Sequence, residues 1–222
     1  MDNIDFNERS WVRDGLREVL SNAMTSLFYA KSTFQYIILS TKEYSQLLLD
    51  KRIETTTVLY LQTLWKVYSY EDAIIKIEYI RNYPNRIGLD TQNITEIDTL
   101  PHLTKDLSQG AILFLQAAKA QKERKTNPKL ILSGTPLQIE TWKALELIPY
   151  GKVVSYTDIA ILVHRPKAVR AIANAISKNP LAPILPCHRV IRSNGDIGGY
   201  AFGKTEKAKI LTLEICNTKR KY

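Results

Sequence analysis

The stretch GTPLQIETWKALELIPYGKVVSYTDIAILVHRPKAVRAIANAISKNP, residues 134–180, decides the fold of the second half of the chain. Thr135, Pro136 and Gln138 spell a capping box with proline at the first helical position, and Ile139, Trp142, Leu145 and Ile148 recur behind them every three residues. A helix therefore starts here, and Pro149-Tyr150-Gly151 stops it. Ser155 and Asp158 offer a second capping box, for a short helix through Val163. Pro166 can open another helix, which Asn179-Pro180 terminates. Two short helices joined by a tight turn spell a helix-turn-helix.

The second of these helices sorts its residues by face. Val169, Ile172, Ala173 and Ile176 form an apolar stripe, Lys167, Arg170, Asn174 and Lys178 a polar one, and the small Ala168, Ala171 and Ala175 lie beside it. A helix that lies against a nucleic-acid groove needs small residues for close approach and cations for phosphates. An ordinary surface helix can show the same residues, so the pattern leaves both readings open.

Charge points toward a polyanion. Of the net +9, residues 133–222 carry +8, with 14 cations against 6 anions, while residues 1–132 hold 17 against 16. A compact basic module attracts nucleic acid, the commonest polyanion in a cell; a solvated basic surface is the plainer alternative.

The remaining composition is that of an ordinary globular protein, with 45% hydrophobic and 24% charged residues in 222, which argues against collagen, coiled coil or wholesale disorder and suggests one or two domains. No apolar run is long enough to span a bilayer, and the start, with Asp2, Asn3, Asp5 and Glu8, lacks the pattern of a signal peptide. The expectation is a soluble intracellular protein, in the cytoplasm or, in a eukaryote, the nucleus, with no membrane partner. Two cysteines, Cys187 and Cys216, exclude a disulfide scaffold and a four-cysteine zinc site.

The first half is less informative. Val12, Leu16, Val19, Leu20, Ala23 and Leu27 fall at helical spacing. Phe34–Ser40, Thr55–Trp65 and Ala73–Ile80 read as strands, with a helical alternative for the last two. Asn82–Thr99 reads as a loop, Leu107 to Ala118 as a helix ending in the charged run Lys119–Lys125, and Lys129–Ser133 as a short strand. The fold class expected is α+β: a mixed α/β domain over residues 1–132, with a ribonuclease-H-like arrangement one candidate, then a helical domain over 133–222 with the helix-turn-helix and a short active-site strand.

The chemistry sits in Pro183-Ile184-Leu185-Pro186-Cys187-His188-Arg189-Val190. Its prolines make the segment extended and stiff, and Ile184-Leu185 suggests burial. A thiol beside an imidazole is a candidate activated nucleophile, since a free cysteine is only a few per cent thiolate at neutral pH. On a strand the two side chains point apart, so His188 must reach Cys187 through a bend or a water. An inert buried cysteine is the alternative. His102 and His164 show no ligand spacing, and no metal or cofactor is expected.

These residues resemble the O6-alkylguanine-DNA alkyltransferases. The likeness runs from about Gly134 to Ile215 through Gly134-Thr135-Pro136, Ile148-Pro149-Tyr150-Gly151, Val154-Ser155-Tyr156, Pro166-Lys167-Ala168-Val169-Arg170-Ala171, Asn179-Pro180, Pro186-Cys187-His188-Arg189-Val190 and Gly199-Tyr200. The resemblance implies that Cys187 accepts the alkyl carbon as a thioether, His188 draws the thiol proton through a water, and Glu214 orients His188. It further implies that Asn179 ties the recognition helix to the active-site strand, that Tyr156 helps rotate the nucleotide out and supplies a proton to the departing base, and that Arg170 fills the vacated stack. Lys167, Ala168, Ala171, Asn174 and Lys178 would face the DNA with Arg170. Tyr200 would wall the base pocket, Val190 and Ala201 would read guanine through their backbones, and Pro183 and Lys207 would complete the pocket.

The residues support parts of this independently. Glu214 lies beside the apolar face of the C-terminal helix, where a carboxylate needs a partner, and His188 can be that partner. Asn194-Gly195 marks a hairpin turn that brings Tyr200 back toward Cys187 on a return strand. Many relatives carry serine at Ala201 and a glycine pair at Phe202-Gly203, so methyl is the expected substrate ahead of bulky adducts. Zinc, found in the N-terminal domain of some relatives, is not expected, because no cysteine precedes Cys187. The function expected is suicide repair of O6-methylguanine in double-stranded DNA by a monomer, with O4-methylthymine a slower candidate. The alternatives are a helix-turn-helix regulator or alkylation sensor, and a cysteine hydrolase. Cys216 and the tail Lys219-Arg220-Lys221 read as a helix-end thiol and a frayed basic terminus.

Overall fold

The structure is a computed structural model that describes residues 32, 34–61, 63–82, 94–96, 108–123 and 128–219. The helix expected from Val12 to Leu27 lies outside these residues. Two compact units divide the chain at Gly134/Thr135.

The first unit is a mixed six-stranded sheet with helices. In chain order it contains β1 (Gln35–Ile38), α1 (Thr41–Leu47), β2 (Glu54–Tyr60), β3 (Thr63–Tyr70), β4 (Ala73–Asn82), β5 (Ile94–Glu96), α2 (Gln109–Glu123) and β6 (Lys129–Leu132). The strand order is β1-β6-β4-β3-β2-β5. An antiparallel meander, β2-β3-β4, is extended by parallel strands on both sides. Helix α2 packs on the meander with Phe114 and Ala117 fully buried, against a core that includes Val58, Trp65 and Val67. Gly110 permits that approach, because a Cβ there would fall 2.9 Å from Ser69 Oγ. Helix α1 contributes Tyr44 and Leu47 to a second cluster around Ala73, Ile75 and Ile131.

Two readings of the first half need correction. The run Thr55–Trp65 is two strands, not one: the chain reverses at Leu61, whose backbone is left-handed at φ 51°. Leucine rarely adopts that conformation; here the residue is 1% exposed and its carbonyl accepts from Thr63 Oγ1 at 3.3 Å. The expected loop Asn82–Thr99 contains β5, paired in parallel with Thr57–Leu59 of β2. A three-residue strand is specified by its partner edge more than by its own pattern.

The second unit is helical. It contains α3 (Pro136–Leu145), β7 (Val154–Ser155), α4 (Tyr156–Leu162), α5 (Val169–Ser177), a 3₁₀ turn (Cys187–Arg189), β8 (Val190–Ile191) and α6 (Lys204–Lys219). Both capping boxes form: Thr135 Oγ1 accepts from the Gln138 amide while Gln138 accepts from Thr135, and Ser155 and Asp158 repeat the exchange. The Trp142 indole donates to the Ala175 carbonyl at 2.8 Å, locking α3 to α5. Helices α4 and α5 pack together as the expected helix-turn-helix.

Helix α5 begins three residues later than Pro166 suggests. The Ala168 amide donates to the Arg165 carbonyl at 2.9 Å, so Pro166 and Lys167 occupy a turn, a position proline favours as much as a helix start. Ala168 caps α5 without a side-chain bond. The tiny parallel pair β7-β8 aligns Val154 with Val190 and Ser155 with Ile191, which sets the start of α4 beside the segment that follows Cys187.

Candidate active site

Every residue from Leu181 to Ile191 is buried. The expectation of a strand at Cys187-His188 is corrected by the 3₁₀ turn Cys187–Arg189, entered through Pro186; the strand β8 starts just after it. The tight turn supplies the bend that adjacent strand residues would lack.

Asn179 anchors the turn from the end of α5. Its Nδ2 donates to the Leu185 carbonyl at 2.6 Å, and its Oδ1 accepts from the Leu181 amide at 3.0 Å. Cys187, 6% exposed, opens onto a cavity of about 320 Å³. Tyr156 walls it from α4, Ala173 and Ser177 from α5, and Gly199, Tyr200 and Ala201 from the loop after β8. That loop turns at Asn194-Gly195 as expected, with the Gly195 amide donating to Arg192 at 3.0 Å, but residues 196–200 form no return strand. Tyr200 is held instead by the Phe202 ring, edge-on at 5.1 Å.

Behind the thiol lies a buried charge network. His188 Nε2 is 2.9 Å from Glu214 Oε1, both side chains 1% exposed. Arg189 clamps the same carboxylate with two bonds, Nε to Oε2 at 2.8 Å and Nη2 to Oε1 at 2.9 Å, and the Gly151 amide donates to Oε2 at 3.2 Å. His188 Nδ1 has no hydrogen-bond partner among the described residues. Burial alone would raise the Glu214 carboxyl, but Arg189 and His188 outweigh it and hold the group far below the usual carboxylate range. Burial pushes His188 below its ordinary value against the pull of Glu214, so the imidazole is neutral at pH 7. With an ionised acceptor at Nε2, the neutral ring carries its proton there and its lone pair on Nδ1.

Burial likewise raises the Cys187 thiol, opposed by Asn179 and Lys207. The resting sulfur is therefore a thiol that needs a base. Lys207 of α6 is fully buried and its ammonium is pushed down to about 8 by that burial. It donates to the carbonyls of Val190 (2.5 Å) and Gly199 (3.3 Å), and lies 5.8 Å from the Tyr156 ring centroid. The hydroxyl of half-buried Tyr156 is raised by desolvation and stays protonated.

The structure thus gathers Cys187, His188, Glu214, Asn179, Tyr156, Tyr200 and Ala201 into one site. Pro183, Val190 and Lys207 are buried and do not line the cavity. Lys167, Arg170, Ala171, Asn174 and Lys178 are exposed along the turn and α5; Ala168 is half-buried. Sequence reasoning missed Arg189 and Gly151. A signal for Arg189 was available: an arginine inside the apolar run 181–191 needs an anion, and Glu214 was already a carboxylate in search of a cation.

A helix-turn-helix with an exposed cationic face, beside a cavity that ends at a buried thiol, is the arrangement of a nucleic-acid-binding unit with a cysteine as its candidate nucleophile. Residues 136–216 match the family model described as 6-O-methylguanine DNA methyltransferase, DNA binding domain. A Bacillus subtilis protein named methylated-DNA–protein-cysteine methyltransferase, constitutive, is 42% identical over 133 residues, 60% of this chain and 78% of that one. A protein of Acanthamoeba polyphaga mimivirus, named a probable methylated-DNA–protein-cysteine methyltransferase, is 48% identical over 100 residues, 45% of this chain and 66% of the relative's length. The crystal structure of Mycobacterium tuberculosis OGT in complex with DNA superposes with a TM-score of 0.55 at 26% identity, covering 73% of this chain and 92% of that one. The chain belongs to the methylated-DNA–protein-cysteine methyltransferase family. Among the described residues, no helix is long and apolar enough to cross a membrane.

Proposed function

We propose that the chain repairs O6-methylguanine in double-stranded DNA by moving the methyl group to Cys187 Sγ, once per molecule. The observation that carries this reading is the buried thiol facing the cavity beneath α5, next in the chain to a buried histidine whose Nε2 lies 2.9 Å from the Glu214 carboxylate.

The exposed face of α5 would meet the DNA, with Arg170, Asn174 and Lys178 spaced four residues apart. A base edge inside a duplex is out of reach, so the lesion must be extruded, at a cost of a few kcal/mol that is least for a poorly paired base. Arg170 would hold the gap, and the flipped base would enter between Tyr156 and Tyr200.

The thiol proton passes through a water to His188 Nδ1. The sulfur lone pair attacks the methyl carbon, an S–C bond forms, and the C–O6 bond breaks with its electron pair leaving on the purine. Tyr156, kept protonated by burial, supplies the proton that neutralises the purine, and the proton on His188 replaces it. The nearby Lys207 cation offsets charge on the sulfur before attack. A thioether has no acyl carbon for water to attack, so the protein does not turn over. O4-methylthymine presents the same exocyclic O–methyl bond and is the second substrate of this reading. A nucleophilic thiol persists where glutathione keeps it reduced, which favours an intracellular site of action.

The test is a several-fold excess of O6-methylguanine duplex incubated with wild type or Cys187→Ala. Wild type should restore guanine in one equivalent of DNA, and the variant should bind with the same salt dependence but restore none. Restoration by the variant, or of several equivalents by the wild type, contradicts the proposal.

A further inference from the structure

The network behind the thiol contains a group that the reaction above does not employ. The Glu214 carboxylate accepts four hydrogen bonds, from His188 Nε2, from Arg189 Nε and Nη2, and from the Gly151 amide, so the four lone-pair sites of its two oxygens are filled. Arg189 supplies two of the four. The guanidinium is itself located by the turn after α3, for its Nη1 donates to the Ile148 carbonyl at 2.8 Å and its carbon lies 5.2 Å from the Tyr150 ring centroid. The clamp thereby runs from that turn through Arg189 to α6.

We propose that Arg189 is a positioning residue for the transfer: by holding both oxygens of Glu214, it keeps the proton of His188 on Nε2 and leaves Nδ1 as the acceptor for the thiol proton. The inference rests on the reaction proposed above. Geometry gives half of the effect, because a carboxylate clamped on both oxygens cannot swing away from the ring. Charge balance gives the other half. The groups whose charge acts on His188 are Glu214 and Lys207 from α6 and Arg189 from its own turn. With Arg189 present, the Glu214 charge is already neutralised, and the interior need not draw a second proton onto the ring. Without it, a buried anion faces the imidazole, and the pair takes up a proton at neutral pH. Once protonated, His188 has no lone pair to offer the thiol.

A purely structural brace between the turn and α6 would leave the protonation of His188 untouched, and this separates the two roles. Single-turnover methyl transfer should be measured from pH 6 to 9 for wild type, Arg189→Lys and Arg189→Met, with the ring ¹⁵N shifts of His188 recorded by NMR on the same samples. In Arg189→Met the rate at pH 7 should fall by about tenfold or more, as for a lost charge-assisted bond in the interior, and the deficit should narrow as pH rises. The ¹⁵N shifts should show the added proton. Arg189→Lys keeps the charge but cannot hold both oxygens, so it should lie between, with a smaller alkaline displacement and a mixed tautomer signal. A deficit equal at every pH with wild-type shifts overturns the proposal, as does an Arg189→Lys protein indistinguishable from wild type in rate, pH profile and tautomer; the lysine variant decides alone if the methionine variant does not fold. Wild-type protein that shows the expected shifts but transfers no methyl would refute the repair reading and leave the placement of the proton standing.

Discussion

In the sheet unit the ion pairs Lys76–Glu78, Lys129–Asp72 and Arg52–Asp50 sit at the surface, with side chains 26–66% exposed, whereas in the helical unit His188, Arg189 and Glu214 are paired at 1–2% exposure. The first arrangement is what solvent allows cheaply, since exposed pairs contribute about 0–1 kcal/mol. The second carries a desolvation penalty that apolar residues of the same volume would avoid. Packing therefore does not account for it; on the mechanism proposed above chemistry does, because the buried charges would fix the proton of one imidazole beside one sulfur. The contrast teaches where to look in a chain of this kind, because charge persists in the interior where a reaction needs it.

The sharpest way to break the contrast is Glu214→Gln. Removing the anion leaves Arg189 buried without its counter-charge and should destabilise the helical unit by about 3–5 kcal/mol in urea unfolding. A loss below about 1 kcal/mol would put this pair in the same class as the surface ones. The Glu214 carboxyl is depressed below its ordinary 4.5, so its contribution is fully present above that value and disappears as pH falls below it. The gap between wild type and Glu214→Gln should accordingly be widest above pH 5 and close in acid.

Arg170→Ala probes an exposed charge with a task. Duplex transfer should slow by about tenfold, as expected if the residue offsets part of the extrusion cost, while transfer from the free methylated base and the urea midpoint stay unchanged. Equal slowing on both substrates would remove Arg170 from the extrusion step. The smallest effect belongs to Lys76→Ala, whose partner Glu78 also bonds Tyr68 at 2.6 Å: under about 1 kcal/mol of stability and no change in transfer.

Legibility in the sequence follows the range of the interaction involved. Thr135–Gln138 and Ser155–Asp158 are readable because a capping box closes within four residues. Cys187, His188 and Glu214 are readable because a reactive pair and a misplaced carboxylate each stand out locally. The turn at Leu61 is hidden because a buried leucine, not a glycine or asparagine, takes the left-handed position. Strand β5 is hidden because its partner is more than 30 residues away in β2. The start of α5 is ambiguous because proline suits a turn and a helix start alike. Arg189 is the instructive omission: an arginine inside an apolar run signals a buried anion, but its two bonds to Glu214 join elements 25 residues apart.

On the proposed reaction the Cys187 sulfur keeps the carbon it removes from DNA. Peptide mass analysis after incubation with an O6-methylguanine duplex tests it most directly. One methyl per protein molecule is expected, on the peptide containing Cys187 and not on the one containing Cys216. An unmodified Cys187 peptide after the DNA has been fully bound would contradict it.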